Sequence, residues 1–395
     1  MAATEKGVWN LQEVRDKQLA SEWTYDGESQ LTTWGENYRG ILGLNNEVDL
    51  SSPTQLPGTT WNKLIQGNSA FFGNFGTKTD GTLWSWGYND RGQLGDNSTV
   101  QRSSPIQVGT DTTWSFAGTC RGYTSNSNGV KTNGTLWSWG YNIFGPLGLN
   151  QANPVNISSP TQVPGTTWST DESKMGRGFY HNHAIKTDGT LWAWGWNNKG
   201  QLGLNNTTIR SSPMQVGTNT TWASLSHYAS SSTAIKTDGT LWAWGYNLYG
   251  ELGLNQQSPT GYSSPIQVGT NTTWSKIAIT GSAHAIKTDG TLWSWGYNRY
   301  GSLGLNAGNL VKLSSPTQVG TDATWSEIKS VGTNMAAGGN TLALKTDGTL
   351  WSWGYGTGAG TLGQNEAKGY SSPVQIPGTW TSIFATKSAF GFKQL

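Results

Sequence analysis

Seven Trp-Gly pairs, at Trp34, Trp86, Trp139, Trp194, Trp244, Trp295 and Trp353, divide the chain at intervals of 52, 53, 55, 50, 51 and 58 residues. Three further anchors keep step with them. Leu-Gly recurs at Leu42, Leu94, Leu147, Leu202, Leu252, Leu303 and Leu362. Ser-Ser-Pro ends at Pro53, Pro105, Pro160, Pro213, Pro265, Pro316 and Pro373. A Trp behind a Gly-Thr-rich turn stands at Trp61, Trp114, Trp168, Trp222, Trp274, Trp325 and Trp380. Six more Trp precede a Trp-Gly pair by two residues, so 20 of the 23 Trp are repeat positions and only Trp9, Trp23 and Trp196 fall outside. A period near 50 residues is the mark of a repeat architecture in which no unit buries its own faces.

Each unit reads as short antiparallel strands. Ala-Ile-Lys-Thr, Asp-Gly and Thr-Leu-Trp-Ser-Trp-Gly predict a two-residue hairpin of type I′, with Asn133-Gly134 replacing Asp-Gly in one copy. Alternating apolar and small polar residues mark half-buried strands. The Pro-x-Gln-Val and Trp-Ser-x-Ile segments predict two more, the first with Pro at its start. The last unit, from Trp380, stops at Phe392-Lys393 without its Leu-Trp-Ser-Trp-Gly strand. The chain supplies a matching piece early, at Leu31-Thr32-Thr33-Trp34-Gly35. The expectation is an all-β, seven-bladed β-propeller over residues 24–395, closed by N- and C-terminal strands in one blade and preceded by an extension, 1–23, with a short amphipathic helix.

The units Asp-Gly-Thr-Leu-Trp-Ser-Trp-Gly-Tyr-Asn, Gly-Gln-Leu-Gly (92–95 and 200–203), Ser-Ser-Pro-x-Gln-Val and His-Ala-Ile-Lys (183–186 and 284–287) resemble the regulator of chromosome condensation family of repeats. That resemblance implies a seven-bladed ring. It covers members as different as exchange factors for small GTPases and inhibitors of β-lactamases, so it transfers no functional residue. The stretch from Gly7 to Trp23, with Gly-Val-Trp-x-Leu, resembles a segment of tail and virion proteins of marine tailed phages.

Composition excludes several classes. Charged residues are 12% and the net charge is +2, so no field points to nucleic acid or to anionic lipid. No long apolar run suggests membrane insertion. A single cysteine, Cys120, excludes an internal disulfide and is expected to be inert. No catalytic set stands out. The aspartates Asp80, Asp188, Asp238, Asp289 and Asp347 are turn residues. Of four histidines, His183 and His284 share a repeat position and read as scaffold. His181 and His183 lie on one face of a strand, but no carboxylate or Cys cluster completes a ligand set, so neither metal nor cofactor is expected.

Function is sought where the repeats differ. The long windows 114–131 and 168–186 carry Arg121 and Tyr123, then Lys174, Arg177, Phe179, Tyr180 and His181. Tyr228 falls in the equivalent window of the next unit. Together these predict one surface patch of Arg and aromatic anchors. The expectation is a non-enzymatic binding propeller. It would be a virion subunit (tail, fibre or decoration), extracellular after lysis, contacting another virion protein, a host receptor or a surface glycan, with self-association inside an assembly. The alternative is a cellular (cytoplasmic) or secreted module that regulates a protein partner through one face.

Overall fold

The computed structural model describes residues 31–35, 37–58, 60–66, 73–120, 125–151, 156–332, 339–356, 362, 364, 368–385 and 389–393. The N-terminal extension, with the helix expected there, lies outside the described residues. Among the described residues the strands form seven four-stranded antiparallel sheets, and the only helical elements are three short 3-10 turns. The architecture is an all-β propeller. In a representative sheet the strands run Trp222–Tyr228, Ser231–Lys236, Leu241–Asn247 and Ser258–Gln267, paired in sequence order. One sheet is composite. Leu31–Gly35 lies between Leu50–Gln55 and Ala389–Lys393, with Leu31 opposite Phe392 and Trp34 opposite Ala389.

The Asp-Gly turn differs from the expected type I′. Gly189 has φ 80°, whereas Asp188 is not in the left-handed region. Gly189 N donates to Lys186 O at 2.9 Å and Lys186 N to Thr190 O at 3.0 Å, so the loop is a type I turn ending in a left-handed glycine. Asp188 acts as a cap. Its Oδ1 accepts from Thr190 N (3.0 Å) and from the Thr190 hydroxyl (2.6 Å). That hydroxyl accepts from Trp192 Nε1 at 2.9 Å. The proline of Ser-Ser-Pro lies inside the fourth strand, not at its start. Arg210–Gln215 contains Pro213, and the register slips between Ala193 and Gly195 opposite it. An outer edge strand with a bulge tolerates the missing donor.

Neighbouring sheets are joined by the second Trp of Leu-Trp-x-Trp-Gly. Trp86, Trp139, Trp194, Trp244, Trp295 and Trp353 are fully buried, and each indole donates to a backbone carbonyl of the preceding repeat at 2.8–3.0 Å. Leu-Gly makes this possible. Gly203 has φ 72°, and a Cβ there would stand 3.0 Å from Trp244 Nε1. A second tie runs outside it: Asn150 N donates to Ser211 O (2.8 Å) and Ser212 Oγ to Asn150 Oδ1 (3.1 Å). In six of the seven sheets the Trp behind the Gly-Thr-rich turn packs at an angle against both Trp of the third strand, as Trp222 does with Trp242 and Trp244 at 6.1 Å. The Lys236 ammonium sits over Trp242 at 3.8 Å and Trp222 at 4.7 Å.

Replacing Trp244 by Ala removes an indole and one inter-sheet hydrogen bond, and is expected to cost roughly 3–5 kcal/mol in urea unfolding. A loss under about 1 kcal/mol would show that this junction does not carry the fold. Deleting residues through Gly35 takes the third strand, an inner one, from the composite sheet. The melting temperature is expected to fall well below that of the full chain; an unchanged value would refute closure by that strand.

Candidate functional site

Antiparallel connections alternate between the two ends of the strands. The Asp-Gly turns therefore mark one face. The loops after Trp-Gly and those joining first to second strands mark the other. On this second face the Asn of Trp-Gly-x-Asn builds the loop: Asn197 Oδ1 accepts from Leu202 N (3.0 Å), and its Nδ2 donates to Asn206 O and Thr208 O. The loop is thereby fixed, and two of its side chains project sideways. The residue after Trp-Gly in one repeat meets the residue before the next glycine in the preceding repeat. The Arg39 guanidinium lies 4.4 Å from the Tyr88 ring and that of Arg91 4.9 Å from Tyr141. Phe144 stacks on Trp196 at 5.5 Å and Tyr249 on Tyr297 at 4.7 Å. Lys199 covers Tyr246 at 5.5 Å, and Tyr300 tilts over Tyr355 at 4.7 Å. Six junctions thus carry an aromatic or cation–aromatic pair, forming a belt around one face.

Three belt residues hold unfavourable backbone. Arg39, Phe144 and Tyr300 have φ of 59°, 66° and 59°. A bulky side chain in the left-handed region costs on the order of 1 kcal/mol. Glycine or asparagine would sit there without that strain, and Tyr300 is still 40% exposed.

The expected surface patch is not what forms. Arg177, Phe179, His181 and Tyr228 are buried, and Phe179 packs against Tyr228 at 5.9 Å. Arg177 ends the buried strand Met175–Arg177, His181 opens the strand His181–Ile185 and Tyr228 ends the strand Trp222–Tyr228. Arg177 donates from Nε to Asn128 Oδ1 at 2.7 Å, and burial pulls its guanidinium below its ordinary range. Asn128 and Asn182 continue a buried polar network to Cys120, whose thiol donates to Asn182 Oδ1 at 3.0 Å. Burial pushes that thiol up to about 12, which keeps it protonated. Tyr180 reaches the belt, edge-on to Phe144 (5.4 Å) and Trp196 (5.9 Å). Lys174 is half-buried in the short turn Glu172–Lys174. Arg121 and Tyr123 lie outside the described residues. Sequence reasoning missed the belt because its tyrosines sit inside the repeated Gly-Tyr-Asn phrase. The available signal was the position before the next glycine, occupied by Arg39, Arg91, Phe144, Lys199, Tyr249 and Tyr300.

Five segments, 80–117, 133–171, 188–229, 238–285 and 289–340, match the model of the regulator of chromosome condensation (RCC1) repeat, together more than half of the chain. The chain belongs to the RCC1 repeat family. It is 28% identical over 212 residues to the ultraviolet-B receptor UVR8 of Arabidopsis thaliana, covering 52% of this chain and 47% of that protein. The mitochondrial RCC1 domain-containing protein RUG3 of the same plant is 29% identical over 329 residues, covering 74% of this chain and 70% of that one. Among solved structures, Prp20p of Saccharomyces cerevisiae superposes with a TM-score of 0.76 at 18% identity, covering 93% and 92% of the two chains. That structure was described together with the binding of Prp20p to Gsp1p and histones. The chain thus spans about half the length of UVR8 and most of RUG3 and Prp20p.

Beneath the belt the residue before Leu-Gly varies between repeats, and one of them is acidic. Gln93 and Gln201 accept from the amides of Arg91 and Lys199, whereas Glu251 Oε2 takes the same role toward Tyr249 N at 2.7 Å. Burial pushes the Glu251 carboxyl up to about 7 from an ordinary 4.5. The folded state holds this proton more tightly than the unfolded chain, so stability is lost as pH rises from about 4.5 through 7. Glu251→Gln is expected to gain on the order of 2 kcal/mol at pH 8 and little at pH 4.5. Paired urea titrations at the two pH values check this, and an equal gain at both would refute it.

Proposed function

We propose that this RCC1 chain is a non-enzymatic, seven-bladed protein-interaction module that holds or regulates a partner through its belted face. Seven sheets, one of them composite, support the blade count. The single observation that carries the binding reading is the belt itself. Aromatic and cationic side chains recur at six junctions of one face, and three of them stand in strained backbone that folding alone does not require. Arg, Tyr and Trp are the residue types that dominate binding energy at interfaces. The partner is a protein offering carboxylates and apolar side chains, since the belt offers guanidinium groups and ring faces.

The family relatives named above are cellular proteins of plants and yeast, which supports a cellular module over a virion subunit. The virion reading rests on residues 1–23, outside the described residues.

Phe144→Asn together with Tyr300→Asn relieves left-handed strain while removing two belt rings. The double variant is expected to melt at or above the parent temperature and to lose affinity for its co-purified partner at least tenfold. Quantitative affinity purification from the source cells, with Thr187→Ala on the opposite face as control, checks this. Retention by the belt variant with loss in the control would move the binding surface to the Asp-Gly-turn face.

A further inference from the structure

Three of the chain's four histidines converge at one junction. His181 and His183 come from the strand His181–Ile185, and His227 from the first strand of the next sheet. One ring nitrogen of each lies within 4.8 Å of the others, and all three side chains are buried. The rings of His183 and His227 stack at 4.5 Å, and His181 meets both edge-on at 5.6 Å.

The hydrogen bonds decide which nitrogens carry protons. A carbonyl can only accept, so His181 Nδ1 donates to Phe179 O at 3.0 Å. His181 Nε2 then presents a lone pair. Its neighbour is the Ser232 hydroxyl at 3.3 Å, which donates to Gln201 O at 3.0 Å. His183 Nε2 donates to Leu202 O at 3.3 Å, and its Nδ1 has no hydrogen-bond partner. A ring that gives one N–H to a backbone carbonyl and keeps the other nitrogen unprotonated has the arrangement of a metal-binding histidine. An uncompensated lone pair in a buried site otherwise carries a desolvation cost.

His284 is the internal control. It occupies the repeat position of His183, and its nitrogens are bonded to the hydroxyls of Ser294 (2.8 Å), Ser282 (3.2 Å) and Thr341 (3.2 Å). His284 thus has both ring nitrogens bonded, where His183 has one. The local sequence also makes room for the cluster. A Cβ at Gly176 would stand 1.9 Å from the His227 ring, and one at Gly178 2.0 Å from His181. Met-Gly-Arg-Gly, found in one repeat alone, is thus a cradle for two of the three rings.

We propose that His181, His183 and His227 bind one divalent transition-metal ion of the zinc class. Three neutral imidazoles suit such an ion, and a tetrahedral site leaves a fourth position open. Nitrogens each about 2.1 Å from one ion stand roughly 3.4 Å apart, so binding draws the three nitrogens together and turns the His183 and His227 rings out of their stack. His227 lines a cavity of about 940 Å³ walled by the first strands of five sheets, which gives the ion a path and the fourth position a water or an anion. Glu172 and Asp171 line the same cavity.

The test uses the full chain, stripped with chelator and titrated with cobalt(II), then zinc. The expected result is one equivalent of cobalt with the visible absorption of a four-coordinate site, displaced by one equivalent of zinc. His227→Gln is expected to weaken zinc binding at least 100-fold, and His284→Gln to leave it unchanged. The wild-type spectrum needs no variant, so a destabilised substitution does not leave the question open. Absence of a stoichiometric cobalt spectrum, or equal zinc affinity in wild type and His227→Gln, would overturn the assignment.

Discussion

One contact sets the terms for the rest of the molecule: an indole N–H donated across a junction to a backbone carbonyl, over a glycine that lets it in. A buried Trp offers a large apolar surface and a single donor. If that donor found no acceptor, burying the ring would carry a desolvation cost. The carbonyl of Gln201 serves Trp244, and that of Glu251 serves Trp295. Both carbonyls belong to loops that Asn197 and Asn247 fold through their Oδ1 atoms. Leu-Gly, Trp-Gly-x-Asn and the Trp of the following unit are therefore one device spread over two repeats. It recurs at six junctions, which is why the repeat tolerates so little change at those positions and so much elsewhere.

A scaffold fixed by so few positions frees its remaining side chains. The belt grows out of this arrangement. The loop that presents a carbonyl to the next indole also carries the residue that stacks on the next repeat's aromatic. Phe144 and Pro146 show the two roles in one turn: Pro146 O accepts from Trp194, and Phe144 covers Trp196. Junction geometry alone accounts for a side chain at this point. It does not account for bulky ones in left-handed backbone, and that excess is what the proposed binding role explains.

The period, the strands and the composite sheet were legible in the sequence because each depends on local phrases repeated many times. The turn type was not. Asp-Gly suits type I′, but the Thr hydroxyl following it offers Asp188 a cap that needs only glycine in the left-handed region. The site was only half legible. Arg177, Phe179 and Tyr228 broke the period and so looked like surface anchors, yet Arg177 lies in a short buried strand and Phe179 packs against Tyr228. The three-histidine cluster was hidden for a different reason. His227 lies more than forty residues from His183, in a different repeat, and its approach depends on the glycine at 176 opposite it. Repeat arithmetic compares equivalent positions, and this cluster joins three positions that are not equivalent.

The two features meet along one strand. Tyr180, with φ 55°, reaches the belt and stands edge-on to Trp196, and the next residue is His181. Beyond it the side chains alternate. Asn182 turns to the preceding repeat, where it donates to Pro146 O at 2.8 Å and accepts from Cys120, while His181 and His183 turn to the following one. The side chains that grip Cys120, carry the belt and hold the imidazoles therefore stand on four consecutive residues of a single rigid strand and its turn. The carbonyl of Phe179, which accepts from His181 Nδ1, belongs to the peptide bond that leads into Tyr180. The local departures from the repeat are concentrated where a contact on the face and a change inside the wall share the same backbone.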